Sequence, residues 1–210
     1  MRALWRHIEH NYREGGLGQI ASKVFWRFQQ WAWSESTWLI YKLDLASYQR
    51  TPRLRLRRET LDFDQLLRHQ YFKAEAFPEA IHKRLSRGEV CHGFFLDREL
   101  ANIGWMTDGY LELDDALSLP EEQCMGIFDC FTLPEHRGKG VYTDTLIAMA
   151  GIAKERGVNA VMIAVDEDNR FSIKGIERAG FEPLYRLRRT RRLGRVSLHE
   201  SSFGLVTAAQ

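Results

Sequence analysis

Residues 131–146 read FTLPEHRGKGVYTDTL. An apolar run ends at Leu133, and the chain turns through Pro134 to Gly138. A helical pattern then begins, with Val141, Thr145, Ala148, Met149 and Ile152 on one stripe. The first amides of a helix have no acceptor inside it, and the macrodipole adds partial positive charge there. Such a start binds anions. Gly138 and Gly140 carry no side chain to hold an anion off the backbone, and Arg137 and Lys139 add positive charge. This is the chemistry of a pyrophosphate cradle. It is not a Walker loop or a dinucleotide fingerprint, because GxxxxGK[ST] and GxGxxG are absent. On this motif alone, an ordinary strand–turn–helix with glycines at the turn remains open.

A second constellation follows one helix and one strand later. Val165-Asp166 ends a strand, Asn169-Arg170-Phe171-Ser172 opens a helix, and Ala179-Gly180-Phe181 closes it. Together the two segments resemble the GNAT acyltransferase superfamily. Its pattern is [QR]-x-x-G-x-[GA] after a strand, then N-x-x-[AS] with G-F eight residues on. The strong part of the resemblance spans 124–183, and strand order extends it back to about residue 53. It implies acetyl-CoA bound where two parallel strands, here 125–133 and 160–165, splay apart. The unpaired edge at Phe131, Thr132 and Leu133 would hold the pantetheine and polarise the thioester carbonyl. The amides of Arg137, Gly138, Lys139, Gly140, Val141 and Tyr142 would take the pyrophosphate. Asn169 and Ser172 would contact the pantetheine arm. Transfer in this family is usually by direct attack of an amine, so Cys130 need not be a nucleophile.

The sequence departs from the family pattern in three places. Glu135 stands where Gln or Arg is usual, and Tyr142 where Gly or Ala is common. Ile176 occupies the place of the tyrosine that often protonates the leaving thiolate. A thiol of pKa about 8.5 can leave without such help; Tyr142 and Tyr185 are the remaining candidates. An amine must lose a proton to attack. Asp129, on the central strand, and Glu112, near the end of its neighbour, are the candidate bases, each also readable as an exposed strand-end carboxylate. Trp105 and Tyr110 could stack on an acceptor or pack in the core.

The elements that must position these residues follow from periodicity. A strand with one buried face is expected over 53–57, where Arg53, Arg55 and Arg57 alternate with Leu54 and Leu56. Helices follow around Phe63–Leu67 and Ala80–Leu85. Val90–Leu96 and Leu100–Met106 read as a hairpin, with Tyr110–Leu113 extending its second strand. Then come a strand from Met125, a helix over about 139–156, a strand at 160–165, a helix over about 169–179 and strands from Phe181. The order β-α-α-β-β-β-α-β-α-β-β describes an α/β (α+β) fold, a mixed sheet with helices on both faces. The resemblance adds a central splay. Residues 51–210 would form this domain, preceded by an extension over 1–50.

That extension contains an amphipathic helix in which Leu17, Ile20, Val24, Phe25, Phe28 and Trp31 recur at helical spacing, followed by a Trp-rich stretch. It could pack on the domain, form a homodimer, or lie on a membrane surface. Trp38–Leu45 could be a strand. The N-terminal arrangement also resembles that of GNAT proteins found with bacterial surface-polysaccharide enzymes, which implies an amino sugar, nucleotide- or lipid-linked, as acceptor.

The chain has 210 residues, 44% hydrophobic and 28% charged, with a formal net charge of +2. That balance and the absence of a reading motif argue against nucleic acid. The arginines at 186, 188, 189, 191, 192 and 195 read as a solvated sheet edge or a surface for an acidic acceptor. The three cysteines lack metal-knuckle spacing and read as buried hydrophobes. No apolar run approaches the ~20 residues of a membrane span. A cytoplasmic protein is expected, at the inner membrane surface if the N-terminal helix docks there.

Overall fold

The structure, a computed structural model, describes residues 33–68, 77–114, 117–193 and 195–202. The expected helix at 17–32 lies outside them. Among the described residues the chain divides into two compact units: residues 38–186, and residues 33–37 with 187–193 and 195–201.

The larger unit is built on a twisted sheet. Its elements in chain order are β1 (Trp33–Asp44), β2 (Arg57–Thr60), α1 (Phe63–Arg68), α2 (Phe77–Ser86), β3 (Val90–Leu96), β4 (Glu99–Asp114), β5 (Leu117–Thr132), α3 (Val141–Glu155), β6 (Ala160–Asp166), α4 (Arg170–Ala179) and β7 (Glu182–Arg192). Strand order is β2-β3-β4-β5-β6-β1-β7. β7 runs on into the smaller unit, where β8 (Arg195–Ser202) lies beside it.

Most expected elements appear within two residues of their sequence boundaries, and the hairpin shows why. β3 and β4 meet with Leu96 opposite Glu99. The two loop residues, Asp97 and Arg98, have φ of 50° and 71°, the left-handed pair that a tight hairpin turn needs. The strand expected over 53–57 differs. Leu54 and Leu56 are half-buried and Arg53, Arg55 and Arg57 exposed, as alternation requires. Yet the ladder begins only at Arg57, opposite Phe95. The Leu54 amide is taken by Asp144 Oδ2 at 2.9 Å, and the Leu56 amide bonds back to Leu54 O at 3.0 Å. Neither is left for a neighbouring strand.

Each sheet face carries its own core. On one side Leu39, Tyr41, Met125, Ile127, Val161 and Ile163 pack with Leu146, Met149 and Ala150 of α3 and Ile176 of α4. On the other, Cys91, Ile103, Trp105 and Phe128 pack with Leu66 of α1 and Ile81 of α2. Along β5 the two sides alternate as a strand demands, up to one break. Met125 and Ile127 face the α3 side and Phe128 the α2 side. Two residues later the parity is reversed: Cys130 packs on the α3 side and Phe131 on the α2 side. The reversal is a β-bulge. Asp129 has φ of 44°, and the β4–β5 register shifts between Ile103 and Trp105.

His92 lies buried under the β2 edge, with Nδ1 3.4 Å from Thr60 Oγ1. Burial first, then the Arg58 and Arg156 charges, pushes its imidazole down to about 4. The unfolded chain therefore takes up this proton first as pH falls. Stability from this group is complete above the unfolded value near 6.5 and is lost between there and about 4, amounting to roughly 2–3 kcal/mol. Urea unfolding at pH 7 and pH 4.5 is expected to show this loss, and His92→Gln to flatten the pH slope. An unchanged slope in the variant would assign the acid sensitivity elsewhere.

Candidate functional site

The bulge at Asp129 creates the site. β5 and β6 pair in parallel from Cys124 opposite Ala160 to Ile127 opposite Ile163, and there the pairing stops. Beyond it, β6 stays bonded to β1, with Ala164 opposite Ile40 and Asp166 opposite Trp38. β5 stays bonded to β4, with Phe131 opposite Ile103 and Thr132 opposite Asn102. The two parallel strands thus splay apart past residues 127 and 163, leaving the end of β5 without its β6 neighbour.

On the α3 side the splay opens into a cleft of about 680 Å³, lined by the end of β5, the turn after it and the starts of α3 and α4. Ligand clefts commonly fall in this size range. The turn is a 3-10 segment at Pro134–His136, and the α3 N-cap is Gly140, φ 82°, with no side-chain cap bond. The first intrahelical bond runs from Asp144 N to Gly140 O at 3.1 Å. The amides of Val141, Tyr142 and Thr143 therefore have no partner inside the helix. Gly138 is also left-handed, at φ 75°. A Cβ built on Gly138 or Gly140 would meet nothing within 4 Å, so the cradle is open.

Most of the expected cofactor residues converge here. Phe131, Thr132, Arg137, Gly138, Gly140, Val141, Tyr142, Asn169 and Ser172 all line the cleft. Arg137 folds back on the strand, its Nε donating to Thr132 O at 3.1 Å and its guanidinium over the Phe131 ring. Asn169 caps α4, its Oδ1 accepting from Ser172 N at 3.2 Å.

Two of the expected cofactor residues depart from the reading. The Leu133 amide donates to Ala101 O at 3.0 Å, and its side chain packs with the α2-side core, so it presents no free donor at the open edge. Lys139 lines a neighbouring cavity instead, with Arg50 and Arg53.

Tyr142 comes from the first turn of α3 and lies against Gly175 of α4. A Cβ at Gly175 would stand 2.4 Å from Tyr142 Cδ1, so only glycine leaves room for the ring. Its hydroxyl shares a hydrogen bond with Ser172, and burial, reinforced by Cys130, holds the phenol well above its usual range. It is a protonated hydroxyl at neutral pH. Ile176, the next residue of α4, is wholly buried. Burial likewise pushes the Cys130 thiol up, with Asp129 and Cys91 adding to the effect. As thiolate is the reactive form, Cys130 is chemically quiet.

On the opposite mouth of the splay lies a smaller pocket of about 310 Å³, lined by Trp38, Arg84, Glu112, Phe128, Asp129 and Asp166 among others. Both candidate bases are in it. The Asp129 side chain is 60% exposed and accepts from Arg84 Nη2 at 2.5 Å. Arg84 reaches in from α2 with its guanidinium over the Trp105 and Phe128 rings, backed by buried Glu89 at 3.9 Å. Glu112 is buried, 3.6 Å from Arg87. Tyr110 donates to Glu89 Oε1 at 2.7 Å, and Trp105 is core. Sequence reasoning missed Arg84 because nothing local ties it to a bulge 45 residues away.

The cleft fits a coenzyme A diphosphate. Its glycines leave open space, its charged lining residues Arg137, Lys174 and Arg178 are all cationic, and buried His136, which also lines it, has both ring nitrogens without a hydrogen-bond partner. Among the described residues no cluster could hold a metal ion, and no helix is long and apolar enough to cross a membrane.

Comparison with known proteins agrees with this geometry. The model of the acetyltransferase (GNAT) family matches residues 60–181. Among solved structures, the chain is similar to a GNAT-family acetyltransferase from Colwellia psychrerythraea, with TM-score 0.56 and 15% identity, over 77% of this chain and 57% of that one. It is similar to a conserved protein of unknown function from Staphylococcus epidermidis, with TM-score 0.53 and 9% identity, over 78% of this chain and 64% of that one. A fungal glucosamine N-acetyltransferase region within a multi-domain β-N-acetylglucosaminidase gives TM-score 0.52 and 12% identity, over 89% of this chain and 23% of that one. The chain thus spans less than two thirds of the length of each of these proteins, and at such identities the likeness is one of fold. No match was found among curated proteins. The family match covers β5, the open cradle, β6 and α4: the chain belongs to the GNAT acetyltransferase family, which draws its acyl group from acetyl-CoA.

Proposed function

We propose that this chain moves an acetyl group from acetyl-CoA directly onto a primary amine, carried by an amino sugar or a related metabolite. The observation that carries the reading is the splay with its two mouths. A cationic cleft opens on the α3 side and an acidic pocket on the other, and Cys130 of the first and Asp129 of the second are neighbours on β5. An acyl donor entering from one side and an amine from the other would bring their reacting atoms together there, which is the proximity that catalysis requires.

The roles follow from chemistry. The end of β5, past its last pairing with β6, supports the thioester and stabilises charge developing on its carbonyl oxygen. Asp129 accepts the amine proton directly or through water, held in place by Arg84. The amine nitrogen bonds to the carbonyl carbon, the C–S bond breaks, and Tyr142 gives its proton to the leaving sulfur. The acidic lining suits a cationic amine, and Trp38 offers a ring to a sugar face. In the fungal region the same fold serves glucosamine.

Thiol release from acetyl-CoA, measured against amino sugars, nucleotide-linked amino sugars and peptides, tests the acceptor class. Turnover with amino sugars is expected. Turnover with peptides alone would replace that acceptor, and coenzyme A binding without any turnover would make the chain a binding module. Asp129→Asn is expected to lower kcat/KM for the amine on the order of a hundredfold and to leave coenzyme A affinity unchanged. If Glu112→Gln has the larger effect instead, the base is Glu112.

A further inference from the structure

The smaller unit carries a pattern of charge and apolar exposure that the transfer chemistry does not use. Its described residues hold Arg188, Arg189, Arg191, Arg192 and Arg195 against two carboxylates, Glu35 and Glu200. Arg188 pairs with Glu35, and among the described residues no carboxylate meets Arg191 or Arg195. Strand β7 stops at Arg192 and β8 starts at Arg195. A two-residue connection joins only antiparallel neighbours, so the pair is a hairpin, with Ser197 Oγ 3.5 Å from Thr190 O. Leu193 stands at its tip with φ 47° and is 69% exposed; Val196 and Leu198 are 51% and 45% exposed. These are three of the five large apolar side chains found exposed in the described residues. Arg192, Leu193, Arg195 and Val196 line one depression, together with Thr190 and Ser197.

Charge along a sheet edge protects it from pairing with other chains. That role accounts for the arginines but not for Leu193, Val196 and Leu198, because exposed apolar side chains on an edge invite association. Nucleic acid would match the arginines and leave the apolar tip in water. A second copy would cover the tip and set arginine against arginine. A bilayer with anionic headgroups satisfies both, since it presents phosphates at its surface and acyl chains beneath them. We propose that the β7–β8 tip docks this chain on an anionic membrane surface. Leu193 and Val196 enter the headgroup boundary, and Arg191, Arg192 and Arg195 lie against the lipid phosphates. The inference goes beyond the acetyl-transfer reading and does not depend on it.

Co-sedimentation of the full chain with lipid vesicles tests this. Binding is expected to vesicles of phosphatidylcholine mixed with phosphatidylglycerol, to be far weaker with phosphatidylcholine alone, and to fall as salt is raised. An arginine near such a surface is worth about fivefold in affinity, so Arg191→Ala/Arg195→Ala should weaken binding roughly thirtyfold. Leu193→Asn should weaken it by about tenfold. Asparagine suits the left-handed backbone at this position, and an unchanged circular dichroism spectrum and thermal midpoint would show each variant folded. Either variant alone decides the matter if the other unfolds. No binding to the mixed vesicles would overturn the proposal, and so would binding indifferent to phosphatidylglycerol. Full binding by the folded variants would overturn the hairpin as the contact. A dimer that Leu193→Asn dissociates, without vesicle binding, would make the occupant a second copy. Binding to a short RNA duplex but not to vesicles would make it nucleic acid.

Discussion

Gly138→Asp is expected to lower affinity for coenzyme A by roughly thirty- to a hundredfold without unfolding the chain. The position is left-handed, φ 75°, and a Cβ there meets nothing within 4 Å. Aspartate tolerates this backbone region better than most side chains, so the fold should survive. The new carboxylate would face the diphosphate across a few ångströms. At a dielectric typical of a protein surface, that repulsion costs about 2–3 kcal/mol. Gly138→Ala is the control. It carries backbone strain at least as large as that of aspartate, about 1 kcal/mol, without the charge, and should change affinity only a few-fold. Isothermal titration of both variants reads the difference. If alanine weakens binding as much as aspartate does, backbone geometry and not charge governs the site. Unchanged affinity in the aspartate variant would place the diphosphate elsewhere.

Tyr142→Phe is expected to lower kcat by about a hundredfold at neutral pH, the low end of general-acid effects, with little change in the KM for acetyl-CoA. The leaving thiol is itself a weak base, pKa about 8.5, which limits what a proton donor contributes. That same fact gives the diagnostic. Tyr142 stays protonated because burial and Cys130 hold its phenol well above the usual range, so native activity does not fall on its account across the neutral range. As pH rises past the thiol value, the sulfur leaves unaided, and the deficit of the variant should narrow. A purely structural role would give a deficit independent of pH. Gly175→Ala is a second arm. A methyl group 2.4 Å from Cδ1 must displace the ring, so kcat should fall although the tyrosine is still present.

The parts of the site that were legible in the sequence are those whose signal is local. Arg137-Gly138-Lys139-Gly140 at the end of a strand, and Asn169 three residues ahead of Ser172, lie where spacing alone puts helix starts. Both helices begin within two residues of the expected points. The splay was available only through resemblance, because its cause is the single bulged residue Asp129. Nothing in Phe128-Asp129-Cys130 announces a positive φ; the neighbouring register imposes it. Leu133 was misread because an unpaired edge cannot be told from a paired one without knowing where β4 runs. The early part of β5 was missed for another reason. Pro120 and the polar run at 121–123 break the apolar pattern, yet Pro120 lies opposite Tyr110 in the ladder. Arg84 and the Tyr142–Gly175 contact were invisible because each joins elements distant in the chain. Glycine at 175 reads as a helix-weakening residue until the ring that needs its space is seen.

The most direct measurement follows the backbone amides of residues 137–143 by NMR as coenzyme A is added. A diphosphate resting on the start of α3 predicts saturable shifts centred on Gly138, Gly140, Val141 and Tyr142, reproduced in part by inorganic pyrophosphate. Saturation of the protein with those amides unmoved, or no saturation at all, would contradict the account.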